Sequence, residues 1–149
     1  MYPIGKVIND RTDIEDDNWG SVVSRIELAE SADKNSLKGI EEFSHLEIIY
    51  YFDKVEDAKI ISGARHPRNL TDLPQVGIFG QRAKNRANKI GLTTVELLKV
   101  ENKTLYVKGL DAINNTPVLD IKPVFKQFLP HGEIQQPEWV NEIMKSYWK

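Results

Sequence analysis

Polar and apolar residues alternate over Ser24-Arg25-Ile26-Glu27-Leu28-Ala29-Glu30, the two-residue period of a strand with one face buried and one in water. His45–Phe52 is rich in β-branched and aromatic residues and becomes apolar on both faces towards its end, which predicts a central strand. Thr94–Val100 and Thr104–Lys108 are two further strands, and Glu101-Asn102-Lys103 between them predicts a hairpin with Asn in the turn. Val118–Lys122 is another, closed by Pro123. Helical signals are few. Ser36–Phe43 predicts a short helical turn, and Pro137 suits a first helical position. Behind it Trp139, Ile143 and Tyr147 recur at i, i+4 and i+8 with Val140 and Met144 beside them, a packing face rather than a cofactor box.

Many strands and one terminal helix predict a mainly β fold, a compact β-barrel with few short helices and a C-terminal helix. No repeat or low-complexity linker divides the chain, so one domain is expected over 1–149, with a barrel core at 1–123 and a tail with its helix at 124–149. Long helices do not alternate with the strands and no G-x-G-x-x-G occurs, so no Rossmann-type cofactor domain is expected.

Composition narrows the chemistry. The 149 residues contain no Cys, which excludes disulfides, thiolate zinc, iron–sulfur clusters and a Cys nucleophile. His45, His66 and His131 lack metal-ligand spacing, so no metal is expected, and there is neither a Walker loop nor a G-x-S-x-G elbow. His45, beside Ser44, reads as a hydrogen-bonded structural residue, and His66, held extended by Pro67, as a donor or acceptor. The longest apolar run, Ile48–Phe52, falls far below the ~18 residues of a membrane span. The N-terminus has no secretory pattern, so a cytoplasmic protein without a membrane partner is expected.

The net charge of −2 looks unpromising for a polyanion partner, but its distribution reverses that impression. Residues 1–60 carry 7 basic and 14 acidic side chains, whereas 61–92 carry 6 basic and only Asp72 acidic. The basic six are Arg65, Arg68, Arg82, Lys84, Arg86 and Lys89, among Gly77, Gly80, Gly91, Asn85 and Asn88. By charge alone the stretch could be a solvated loop, but glycine permits close backbone approach and Asn tolerates left-handed turns, so it reads as a loop that binds an anion or nucleic acid, or belongs to an enzyme acting on one. Asp111 and Asp120 sit beside apolar neighbours and need donors if buried. Asp111, opening the loop to Pro117, can either accept from a ligand's hydroxyl or ammonium group or cap its own turn.

Gly39-Ile40-Glu41-Glu42-Phe43-Ser44-His45-Leu46 resembles a signature of the TsaA-like (TrmO) family. Three more stretches agree in order: Arg65–Arg68; Gly77–Arg82 running on to Ile90–Thr93 and Val95–Leu97; and Gly109–Asp111 leading to Thr116–Pro123. The resemblance implies a β-barrel methyltransferase that uses S-adenosyl-L-methionine without a Rossmann sheet and acts as a homodimer. Its substrate would be N6 of threonylcarbamoyladenosine beside the tRNA anticodon. It implies cofactor contacts at Asn18, Trp19, Gly20, Phe52, Asp53, Arg82, Leu92, Asp111, Ala112, Ile113 and Asn114. The remaining cations, Arg65, Arg68, Lys84, Arg86 and Lys89, would hold tRNA phosphates. No catalytic acid or base is identified; alignment of N6, methyl and sulfur in a dry pocket would supply most of the acceleration. The chain departs from the family pattern at Asp53, where His is usual, at Ala87 and Lys89, where prolines are, and at Asn114, where an acid often stands. A module that kept the barrel and binds S-adenosylmethionine or RNA without turnover is the alternative expectation.

Overall fold

A computed structural model describes residues 1–149. Six strands close into an antiparallel barrel: β1 (Gly5–Ile8), β2 (Val23–Leu28), β3 (His45–Tyr51), β6 (Ile90–Glu101), β7 (Thr104–Lys108) and β8 (Pro117–Pro123), in the order β1-β2-β7-β6-β3-β8. Alternation along each strand sends Val7, Ile26, Leu46, Ile48, Val95, Leu105, Val107 and Val118 inward, all essentially without solvent contact. Closure leaves no unpaired strand edge in this sheet.

The β6–β7 hairpin is tighter than the sequence predicts. Glu101 pairs with Thr104, so the turn is Asn102-Lys103, with Asn102 in the left-handed region at φ 53°. β6 also begins at Ile90 rather than Thr94. Its inward positions there are Gly91 and Thr93, neither an apolar side chain, so the alternation is invisible to a count of hydrophobic residues. The register shift between Leu97 and Lys99 is a bulge, and it breaks the alternation near Leu98.

Between β3 and β6 the chain leaves the barrel as a long excursion whose base is closed by the Phe52 N–H donating to Lys89 O at 2.8 Å. This excursion carries most of the basic stretch. It contains a two-stranded ribbon, β4 (Ala64–Arg65) with β5 (Val76–Gly77), and 3-10 turns at Asp57–Lys59, Pro67–Asn69 and Ile78–Gly80.

Ser36–Phe43 yields only the 3-10 turn Ile40–Glu42. The one α-helix, α1 (Glu138–Met144), starts after Pro137, which caps it from outside at φ −69°, ψ 153° instead of occupying its first turn. Residues 129–136 before it are exposed. Beyond α1 the tail returns to the barrel, where Ser146 O and Tyr147 O accept the Asn18 and Trp19 N–H groups at 3.0 and 2.8 Å. Gly20 is the residue that permits this approach: a Cβ there would lie 2.0 Å from Trp148 O.

Candidate functional site

The site is built around one carboxylate. Gly109, at φ 83°, turns the chain out of β7, and the buried side chains of Leu110 and Ala112 pin the backbone on either side of Asp111. Its carboxylate faces a cleft of about 830 Å³ at one end of the barrel. Three hydroxyls converge on it from three parts of the chain. Tyr50 of β3 donates to Oδ1 at 3.0 Å, Thr93 of β6 donates to the same oxygen, and Tyr147 of the tail donates to Oδ2. Of the two readings open for Asp111, the cap of its own turn is therefore replaced by long-range acceptance. Asp120 does the reverse: it accepts its neighbour's Ile121 N–H at 2.9 Å and pairs with Lys122 at the surface.

Burial lifts the Tyr50 hydroxyl well above the usual phenol range, and the Asp111 charge lifts it further. The same two causes, in the same order, raise Tyr147. Both therefore stay protonated donors well past pH 10. A folded pKa above the unfolded one means that this stabilisation is complete below the unfolded value, about 10, and is lost only as pH rises through the folded value. An absorbance titration at 295 nm is expected to show two tyrosines ionising late, at alkaline unfolding. Tyr147→Phe should remove one of them, and an unchanged late phase would contradict the Tyr147–Asp111 contact.

Of the expected cofactor residues, Trp19, Phe52, Asp53, Arg82, Leu92, Asp111, Ala112 and Ile113 line this cleft. Phe52 packs edge-on against Tyr50, ring centroids 5.3 Å apart, and the Arg82 guanidinium donates to Leu92 O. Trp19 is 2% exposed, with Arg11 over its ring at 3.9 Å and its Nε1–H on Glu15 O. Asn18, Gly20 and Asn114 lie outside the lining. The tail backbone takes the Asn18 amide and covers Gly20. Asn114 Oδ1 accepts the Asn9 N–H at 3.0 Å, holding the loop after β1.

The basic residues divide. Arg68 lines the cleft but pairs with Asp17 at 3.0 Å, and Lys89 lies outside the lining, paired with Asp57 at 2.5 Å. Lys89 also takes φ 52°, a backbone value closed to proline, so the proline that the usual family pattern has at this position could not adopt this loop's shape. Arg65, Arg82, Lys84 and Arg86 line the cleft with no carboxylate partner, although Arg86 is braced by Gln81 O and Ala83 O. Buried Arg65 Nε has no hydrogen-bond partner at all. Of the glycines and asparagines of this stretch, Gly80 and Gly91 and Asn85 serve packing, and Asn88 lines the cleft. Gly91 makes room for the Tyr50 ring, Asn85 Nδ2 donates to Lys59 O, and the left-handed residues of the stretch are Arg68, Asn69 and Lys89.

Sequence reasoning did not reach four groups here. Tyr50 reads as a strand residue, Thr93 falls just before the predicted strand at Thr94, Phe79 stands only within the motif Gly77–Arg82, and the tail stripe reads as packing. The stripe does pack, but Trp139, Ile143, Met144 and Tyr147 form one wall of the cleft itself. His45 and His66 are hydrogen-bonded, to Ser44 Oγ at 2.7 Å and Leu73 O at 2.6 Å, and neither lines the cleft. No group of His, Cys, Asp and Glu side chains gathers to hold a metal, and no helix is long and apolar enough to cross a membrane.

Comparison with known proteins places the chain in a family. The family model described as the tRNA-methyltransferase O N-terminal domain matches residues 14–128. The chain is 36% identical over 104 residues to a Homo sapiens protein named "tRNA (adenine(37)-N6)-methyltransferase", covering 70% of this chain and 23% of that protein. It is 39% identical over 90 residues to a "Probable S-adenosyl-L-methionine-binding protein" of Archaeoglobus fulgidus, covering 60% and 23% respectively. Among solved structures, "Crystal structure of TrmO" superposes with a TM-score of 0.73 at 26% identity, over 91% of this chain and 61% of that one. The chain thus spans about a quarter of the length of these two curated relatives.

Proposed function

This chain belongs to the family of the tRNA-methyltransferase O N-terminal domain, and we propose that it is an S-adenosylmethionine-dependent methyltransferase acting on N6 of an adenine beside the tRNA anticodon. The observation that carries this reading is the convergence, in one cleft, of the Asp111 carboxylate, the Arg82 guanidinium, which has no carboxylate partner, and the apolar side chains Phe52 and Leu92. The donor set fits the cofactor. One carboxylate suits its ammonium or ribose hydroxyls, one guanidinium suits its carboxylate, and apolar walls suit its adenine and thioether carbons. A cleft of about 830 Å³ lies within the usual size range for small-molecule sites.

When bound, S-adenosylmethionine supplies an electrophilic methyl group on a sulfonium. The chain's contribution is positional. Tyr50 and Thr93 fix the Asp111 carboxylate from the barrel, and Phe52, Leu92 and the tail wall restrict water. Arg65, Lys84 and Arg86 present positive charge at the cleft to RNA phosphates. The threonylcarbamoyl form of the adenine, a homodimeric assembly and a cytoplasmic setting belong to the same proposal and rest on the family alone.

Calorimetry with S-adenosylmethionine is expected to give saturable binding, about tenfold weaker in Arg82→Ala. Labelled methyl is expected to appear in total tRNA from cells lacking this protein. Saturable binding without label would favour the module without turnover; no binding at millimolar cofactor would remove the cofactor assignment.

A further inference from the structure

Phe79 is 83% exposed, yet the turn that carries it is tied down on both sides. It sits in the 3-10 turn Ile78–Gly80, between Ile78, which is 3% exposed, and Gln81, which is 8% exposed. Gln81 Nε2 donates to Arg65 O and Val76 O at 3.1 and 2.7 Å, tying the turn to both strands of the β4–β5 ribbon. Ile78 N–H donates to Gly63 O at 2.9 Å. A fixed aromatic in water is an unfavourable use of surface unless a flat partner covers it. Phe79 faces the same cleft as Arg65, Lys84 and Arg86, cations with no carboxylate partner, and Arg65 Nε is buried without any partner. An aromatic ring among unpaired cations fits single-stranded nucleic acid, in which an exposed base stacks and its phosphates take the charge.

We propose that the β4–β5 ribbon is an RNA-docking element in which Phe79 stacks on an unpaired nucleobase while Arg65 holds a neighbouring phosphate. The inference rests on the tRNA reading above and adds the residue that selects a looped, unstacked target over a duplex. The 14 acidic side chains of residues 1–60 in a second copy could also take the charge, so what favours RNA is the ring: a nucleobase and its phosphate supply a flat partner and an anion together.

The test is fluorescence anisotropy with a labelled anticodon stem-loop and, separately, a fully paired duplex of equal length. Phe79→Ala is expected to weaken stem-loop binding about tenfold or more and to leave duplex binding unchanged. Phe79→Trp should restore binding, and its added indole emission should be quenched by the stem-loop. Equal binding of the stem-loop by wild type and Phe79→Ala, or equal loss on both RNAs, overturns the proposal. So does a shift of Phe79→Ala to a smaller species in sedimentation, which would make a second copy the occupant. Failure of the methyltransferase reading is seen independently, as wild type that docks RNA through Phe79 yet transfers no methyl.

Discussion

Asp111→Ala is expected to weaken S-adenosylmethionine binding by about a hundredfold or more and to lower the melting temperature at the same time. Two separate losses combine. The carboxylate is the acceptor for the hydroxyls of Tyr50, Thr93 and Tyr147, and Tyr50 is only 2% exposed, so water cannot replace the acceptor there. Leaving a buried donor unsatisfied costs about 1–3 kcal/mol. In a domain of this size each kcal/mol lowers the melting temperature by about 2–4 °C. The second loss is the negative charge offered to a cationic ligand. Asp111→Asn separates the two: it keeps the volume and an acceptor oxygen, so much of the melting temperature should return while binding stays weak. Thermal unfolding and calorimetry on both variants read the two effects. Wild-type affinity in Asp111→Asn would show that the charge is not used by the ligand.

The barrel was legible because most strands announce themselves by alternation. The strand predicted over Ser24–Glu30 ends at Leu28, but it buries Ser24 and Ile26 and leaves Arg25 exposed, and Thr104–Lys108 buries Leu105 and Val107, the alternation that a one-sided core demands. The first third of β6 was hidden for a physical reason. Its inward slots hold Gly91 and Thr93, chosen for what they meet rather than for hydrophobicity: the Tyr50 ring and the Asp111 carboxylate. The same two contacts explain why the site was only half legible. Asp111 stands out as a carboxylate beside Leu110, but its partners lie 61, 18 and 36 residues away, and no local pattern names them. Charge counting found the cationic stretch and could not divide it. The carboxylates that take Arg68 and Lys89 out of play, Asp17 and Asp57, belong to the acidic N-terminal sixty residues. The tail had the right periodicity and an incomplete reading, because a helical stripe specifies that something is packed against, not whether that surface is a core or a cleft.

Gly91→Ala should destabilise the barrel by about 1–3 kcal/mol, although glycine to alanine within a strand ordinarily stabilises. Gly91 is paired with Tyr50 across β3 and β6, and the ring lies over it. An added Cβ would fall 2.4 and 2.5 Å from Tyr50 Cε2 and Cζ, far inside contact distance. The ring cannot swing aside cheaply, since its hydroxyl is bonded to Asp111 and its edge is packed by Phe52. The strain therefore passes to the site: pushing the ring displaces the hydroxyl from Oδ1, and S-adenosylmethionine affinity should fall together with the melting temperature. Gly63→Ala is the control, because a Cβ there meets nothing within 4 Å. In a Tyr50→Leu background the penalty of Gly91→Ala should shrink, giving a coupling of about 1 kcal/mol or more in the double-mutant cycle. Additive effects in that cycle, or a Gly91→Ala protein that melts with wild type, would show that the glycine does not set the position of Tyr50.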